Sequence, residues 1–225
     1  MRIDKEHMIE YQLRERGITD PEVLRAMAEV PREEFVMPSH RNRAYEDHPL
    51  SIGCSQTISQ PYIVALMTEL MGLDGTERVL EVGSGSGYQT AILSRLAAEI
   101  YSVERIPELA ERACRTLERL GYRNISIRVG DGFSGWEEHA PYDGILVTCA
   151  PEEVPPPLVS QLKDGGRLVL PVGPHGFTQT LWEIRKKGNW LERVNHGGVV
   201  FVPMVSSPPT KNMEQAENRR PPEDR

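Results

Sequence analysis

From Arg78 onward, short apolar runs alternate with longer stretches in which apolar residues recur every three or four positions. That alternation is the mark of a parallel sheet covered by helices on both faces. Strands are predicted at 79–82, 100–103, 125–129, 144–147 and 167–170. Leu109, Ala113, Leu117 and Leu120 fall on one face of a helix predicted over about 107–120, and their stripe is core. After Pro171 the helical spacing stops. Residues 180–185, 190–194 and 199–202 read as strands joined by hairpins, an antiparallel edge to the sheet.

Ahead of the sheet, Met8, Ile9 and Leu13 keep helical spacing until Gly17, and Asp20-Pro21-Glu22 supplies an N-cap, a first-turn proline and an acidic first turn. Pro31 closes that second helix. Residues 32–47 mix charges with Phe35, Val36, Pro38 and Tyr45 and predict short helix and loop, and 51–61 is polar enough to predict a loop. A buried helix is expected from Pro61 to Gly72. Residues 206–225 are rich in Pro, Asn, Glu and Arg and predict a disordered tail. The expected class is α/β, a Rossmann-like, doubly wound, mostly parallel sheet with an N-terminal helical addition and antiparallel C-terminal strands. One domain over 1–205 is expected, with the addition at 1–60 and the core and C-terminal strands at 61–205.

Composition narrows the partners. A formal net charge of -7 argues against a nucleic-acid partner held by phosphate neutralisation. No apolar run is long enough to span a bilayer, and the charged start of the chain lacks the apolar core of a secretory signal. Cys54, Cys114 and Cys149 are odd in number and contain no C-x-x-C pair, which disfavours a disulfide framework or a structural zinc site. A cytoplasmic monomer, with no metal, membrane or nucleic acid, is expected.

The candidate chemistry begins at Val79-Leu80-Glu81-Val82-Gly83-Ser84-Gly85-Ser86-Gly87-Tyr88, a strand, a glycine loop and a helix start. A dinucleotide fingerprint requires G-x-G-x-x-G, and the third glycine would fall at Tyr88 or Thr90. The loop is G-x-G-x-G instead. An anionic Glu81 at the strand end repels a pyrophosphate and suits a ligand bearing an ammonium and a sulfonium, as S-adenosylmethionine does. In an open parallel sheet, ligands sit beyond the carboxyl ends of the strands. There Glu104 is placed to accept hydrogen bonds from ribose hydroxyls, and Asp131, between Gly130 and Gly132, to take an adenine amino group. Thr148-Cys149-Ala150-Pro151 follows the fourth strand, where base-modifying amino methyltransferases carry Asn/Asp-Pro-Pro-aromatic; that segment is lacking here.

Gln56-Thr57-Ile58-Ser59-Gln60-Pro61, combined with the glycine loop, resembles the protein-L-isoaspartate (D-aspartate) O-methyltransferases. Phe35-Val36, Ala44-Tyr45-Glu46-Asp47, Val103-Glu104-Arg105, Gly130-Asp131-Gly132 and Phe201-Val202-Pro203 extend the likeness to about Val205. The resemblance implies S-adenosyl-L-methionine as methyl donor, with S-adenosyl-L-homocysteine as product, and isoaspartyl-containing peptides and proteins as acceptors. It also implies Ser59 as the active-site residue and Glu81, Gly83, Gly85, Glu104, Asp131 and Gly132 as cofactor contacts. Thr57, Ile58, Ser84, Arg105 and Thr148 complete the expected cofactor-binding set, and the segment from Phe201 to Met204 is expected to hold the peptide. Cys54-Ser55 stands where members usually carry a residue and then glycine, so a stiffer or differently kinked loop is expected.

A carboxylate with a pKa of about 4 is already ionised at neutral pH and attacks a sulfonium methyl without a base. None of the six histidines lies in a Ser/His/Asp pattern, so Ser59 is expected to orient the acceptor and not to act as a nucleophile. The alternatives are a methyltransferase for a small carboxylate or RNA, or a protein that binds S-adenosylmethionine without transfer.

Overall fold

The computed structural model describes residues 2–206. Its centre is a seven-stranded sheet in the order β5-β4-β3-β6-β7-β8-β9. The strands are β3 (Arg78–Val82), β4 (Glu99–Glu104), β5 (Ile125–Val129), β6 (Tyr142–Val147), β7 (Leu162–Val172), β8 (Gln179–Lys187) and β9 (Trp190–Val199). Pairing is parallel from β5 through β7 and antiparallel for β7 with β8 and β8 with β9. The chain winds outward from β3 through β4 to β5, then crosses back to lay β6 on the other side of β3. In an open α/β sheet a ligand sits at such a reversal of strand order, beyond the strands' carboxyl ends.

Period-two alternation divides the buried side chains of the central strands between two layers. Leu80, Val82, Ile145, Val147, Leu168 and Leu170 join one cluster with Leu158 of α6 (Pro156–Gln161). Val79, Leu146 and Val169 join another with Met67 and Met71 of α3 (Pro61–Met71) and Leu93 of α4 (Tyr88–Ser94). With both faces covered, the strands read as near-continuous apolar runs, which is why they are visible in the sequence.

Pro61 begins α3, and Gly72, in the left-handed conformation at φ 55°, ends it. The Arg167 side chain occupies the space a Cβ at Gly72 would need and donates to the Leu70 carbonyl at 3.1 Å, which satisfies one of the open carbonyls of the last turn. Asp20 caps α2 (Pro21–Glu29) by accepting from the amides of Glu22 and Val23. The amphipathic α5 (Pro107–Arg119) buries Leu109 and Leu117 in a third cluster, which also holds Met8, Leu13, Met27, Phe35, Leu50 and Ile52. The N-terminal addition therefore shares its core with the helices of the central fold.

Several elements differ from expectation. The segment 51–61 is not a loop throughout: β1 (Leu50–Gly53) and β2 (Gln56–Ile58) form a separate two-stranded hairpin that buries Leu50, Ile52 and Ile58. Too few apolar positions alternate there to betray a strand. The chain start is α1 (Arg2–His7), then a π-helical turn (Met8–Leu13) and a 3-10 turn (Arg14–Arg16), and two further 3-10 turns, Arg32–Glu34 and Pro38–Arg43, occupy the mixed segment. No strand forms at 199–202: β9 ends at Val199, and the chain leaves the sheet as a strap. Ala150 bridges Pro203 in parallel, donating to the Val202 carbonyl at 2.8 Å and accepting from the Met204 amide at 2.8 Å. The helix α6 carries no periodicity long enough to be read. The expected tail, apart from Ser206, lies outside the described residues. Among those residues, no helix is long and apolar enough to cross a membrane.

Candidate active site

A cavity opens at the carboxyl ends of β3, β4 and β6, where the hairpin, the glycine loop and the strap converge. Gly83 begins its floor. Its φ is 94°, and a Cβ there would lie 2.4 Å from Thr148 Oγ1, so only glycine fits. The Thr148 hydroxyl donates to the Gly83 carbonyl at 2.6 Å and ties the loop to the end of β6. Glu104 Oε2 accepts from the Gly85 amide at 2.9 Å and Oε1 from the Ile106 amide at 2.8 Å. A carboxylate offers about four lone-pair sites, so Glu104 keeps acceptor capacity for a pair of hydroxyls in the cavity.

Glu81 is placed differently from the cofactor-touching role expected of it. It is fully buried behind the loop and does not line the cavity. Its Oε2 accepts from the Thr90 and Ser102 hydroxyls, each at 2.6 Å, while Oε1 has no partner. Burial pushes its carboxyl up to about 7, against the downward pull of the two hydroxyls. Asp131 also lies off the cavity wall. Its Oδ1 caps the turn at the Phe133 amide, 2.9 Å away, and its Oδ2 accepts from the Ser206 hydroxyl at 2.7 Å. Its neighbour Gly132 does line the cavity, packed so closely on Val82 and Met204 that a Cβ would collide with the Val82 side chain at 2.4 Å.

The other expected residues converge. Thr57, Ile58 and Ser59 enter from the hairpin, Ser84 from the glycine loop, Arg105 beside Glu104, and Thr148 from β6. Ser59 sits between the end of β2 and the start of α3, its carbonyl held by Arg32 Nη2 at 2.7 Å. Its hydroxyl makes no hydrogen bond among the described residues and is available to a ligand. Phe201, Val202 and Met204 of the strap close the opposite side.

Sequence reasoning missed Gln89, which lines the cavity together with Cys149 of the segment after the fourth strand. Gln89 donates to Thr68 Oγ1 at 2.9 Å, a polar position inside an apolar helix stripe that was a usable signal. Burial pushes the Cys149 thiol up to about 12, so it stays neutral and is no nucleophile at ordinary pH. No histidine lines the cavity, and no cluster of three metal-ligating side chains occurs among the described residues.

The arrangement fits S-adenosylmethionine on the structure's own terms. The buried Ser84 hydroxyl, on the cavity wall, has no partner among the described residues, and a group so placed calls for a ligand or water. The Glu104 carboxylate and the glycine-only backbone supply hydroxyl acceptors and room for close approach. Apolar Val82, Val103 and Met204 offer a wall for a flat ring.

The comparisons agree with this geometry. The family model described as Protein-L-isoaspartate(D-aspartate) O-methyltransferase matches residues 3–208. Among curated proteins, the chain is 54% identical over 204 residues to Protein-L-isoaspartate O-methyltransferase 2 of Pelobacter propionicus, covering 90% of this chain and 91% of that one. It is 55% identical over 192 residues to the Dictyoglomus thermophilum protein-L-isoaspartate O-methyltransferase, covering 85% and 87%. A solved protein-L-isoaspartate O-methyltransferase superposes with TM-score 0.81 at 35% identity, over 88% of this chain and 65% of that longer one. A Plasmodium falciparum structure, described as a protein-L-isoaspartate O-methyltransferase in complex with S-adenosyl-L-homocysteine, gives TM-score 0.77 at 27% identity, over 89% and 97%. On fold, site and descent together, the chain belongs to the protein-L-isoaspartate (D-aspartate) O-methyltransferase family.

Proposed function

We propose that this cavity holds S-adenosylmethionine on the glycine loop and Glu104, and that Ser59 orients the carboxylate of an isoaspartyl residue for methyl transfer. The observation that carries the reading is the convergence, in one cavity, of a loop with a glycine-only position at Gly83 and a serine hydroxyl with no partner among the described residues. The cofactor supplies a methyl group on a sulfonium, an electrophile that needs no further activation. The protein's task is alignment and removal of water. Ser59 donates a hydrogen bond from its hydroxyl to one carboxylate oxygen and leaves the other free to form the O–CH₃ bond, while the electron pair of the broken S–CH₃ bond stays on sulfur. No proton moves, which suits a cavity without histidine and with a neutral Cys149. Gly83, Ser84, Gly85, Arg105 and Thr148 shape the donor's seat. Glu81 supports the loop from behind through Thr90 and Ser102, and Asp131 acts by holding Gly132 and the strap.

The strap, an extended segment that has left the sheet, is the natural support for an extended peptide, through main-chain contacts. Action as a monomer is part of the proposal. A cytoplasmic setting without nucleic acid or membrane partners is part of it too, supported by three free cysteines and the acidic composition.

The test uses labelled S-adenosylmethionine and two peptides that differ only in aspartyl or isoaspartyl linkage. Base-labile methyl ester is expected in the isoaspartyl peptide alone, and equal label in both, or none, defeats the reading. Ser59→Ala is expected to bind S-adenosylhomocysteine as the parent does and to lose about 10²-fold in kcat, the scale of a lost orienting contact.

A further inference from the structure

Arg32 has no place in the chemistry above, yet it is fully buried, among the largest side chains to be so. Burying a guanidinium is expensive, and such charges are ordinarily matched by a carboxylate. Among the described residues, none of Arg32's hydrogen bonds goes to one. Its Nε donates to the Ala44 carbonyl at 2.6 Å and its Nη2 to the Ser59 carbonyl at 2.7 Å. Its Cζ lies 4.8 Å from the centre of the Tyr88 ring, and among those same residues its Nη1 has no partner. Tyr88 is the first residue of α4, directly after the glycine loop, and lines the cavity. One side chain thus joins the N-terminal addition, the main chain of the candidate catalytic serine and the helix that carries the donor's seat.

We propose that Arg32 is a positioning residue for methyl transfer, fixing the Ser59 main chain so that its hydroxyl faces the reacting carboxylate. The inference rests on the reading of the cavity given above. Ser59 and Gln60 connect β2 to α3; the Gln60 carbonyl accepts the first helical bond of α3 from the Val64 amide at 3.2 Å, while Ser59 lies outside both regular elements. Arg32 pins the first carbonyl of that connector. On the far side Gln60 Nε2 donates to the Asp47 carbonyl at 3.1 Å and to Asp47 Oδ1 at 2.9 Å, so the connector is held from two directions. Arg32 stays clear of the cavity wall. That placement fits the chemistry, because the acceptor carboxylate loses its charge during transfer. A guanidinium in direct contact would stabilise the charged ground state more than the transition state and slow the step.

The test compares wild type with Arg32→Lys and Arg32→Met by kcat, peptide KM, S-adenosylhomocysteine affinity and amide hydrogen exchange over residues 59–64 of the ligand-free protein. Arg32→Met is expected to lose about 10–100-fold in kcat, as misplacement of a catalytic group does. Its KM and cofactor affinity should stay within about threefold, with faster exchange at Ser59 and Gln60; Arg32→Lys should fall between. Parallel loss of kcat, cofactor affinity and melting temperature would mark Arg32 as merely structural and overturn the proposal, as would an unchanged kcat. Should neither variant fold, the ¹⁵N spectrum of the wild-type protein decides. Slow rotation about Nε–Cζ and an exchange-protected Nη2 of Arg32 are expected, and a freely rotating guanidinium refutes the anchor. If the wild-type protein itself transfers no methyl to isoaspartyl peptide, the proposed function falls, while exchange and guanidinium rotation still report on the anchor.

Discussion

At Glu81 a carboxyl group has two hydroxyl donors on one oxygen and none on the other, with no cation in hydrogen-bond contact. Desolvation wins over the hydrogen bonds and raises the group from its ordinary 4.5 to about 7. The folded state therefore holds that proton more tightly than the unfolded chain does. Stability from this group is whole below about pH 4.5 and is lost as pH rises through about 7. Glu81→Gln, neutral throughout, is expected to gain on wild type by about 3 kcal/mol between pH 5 and pH 8.5. Melting curves across that range check it, and parallel curves would refute it. The residue scale is also where the sequence is least transparent. Glu81 and Asp131 are easily found beside glycines at strand ends. Whether such a carboxylate faces the ligand or supports the wall depends on partners far along the chain, Thr90 and Ser102 for one and Ser206 for the other. Arg32 reads as an ordinary surface charge in a mixed segment, because nothing local signals that Ala44 and Ser59 will close over it.

Among the elements, the inner parallel strands and α5 are legible because burial on both faces, or a single apolar stripe, leaves an unbroken pattern, and the edge strand β5, which has no fully buried residue, shows instead through its alternating Ile125 and Ile127. The hairpin of β1 and β2 is not, since its outward positions are polar and its strands are short. It carries the structure's departure from the family habit. Gly53, Cys54 and Ser55 have φ values of 85°, 52° and 56°, so two residues with side chains sit in the left-handed region of a two-residue turn. Such turns favour Asn-Gly, because each non-glycine residue there costs about 1 kcal/mol or more. The Cys54→Asn/Ser55→Gly double variant is expected to be more stable by about 1 kcal/mol, raising the melting temperature by about 2–4 °C. Calorimetry measures it; a lower melting temperature would mean that the extra unfolded-state freedom of glycine outweighs the relief. Arg112 Nη2 donates to the Ile52 carbonyl, so α5 holds the hairpin from outside while Arg32 holds its exit from within.

For the whole molecule, the strap matters as much as the sheet. The expected third edge strand fails because the chain is diverted after Val199: Phe201 N donates to Gln179 Oε1 at 2.8 Å, and Ala150 takes over the pairing. Val200 is left 81% exposed, so the apolar run that suggested a strand marks a crossing, not a sheet position. Gln179 is buried, and Gln179→Ala leaves the Phe201 amide unpaired, at a cost of about 1–3 kcal/mol. Because the strap walls the cavity, S-adenosylhomocysteine is expected to leave that variant about tenfold faster, the equivalent of about 1.4 kcal/mol. Stopped-flow dissociation reads this directly, and an unchanged rate would mean that Ala150 and Asp131 hold the strap without Gln179.

Cavity-lining residues run from Gln56 near the start of the chain to Val205 near its end. The wall that Met204 offers the donor belongs to the strap, so neither the donor's seat nor the acceptor side is complete until that last segment has folded back. A fragment cut before the strap is therefore expected to transfer no methyl.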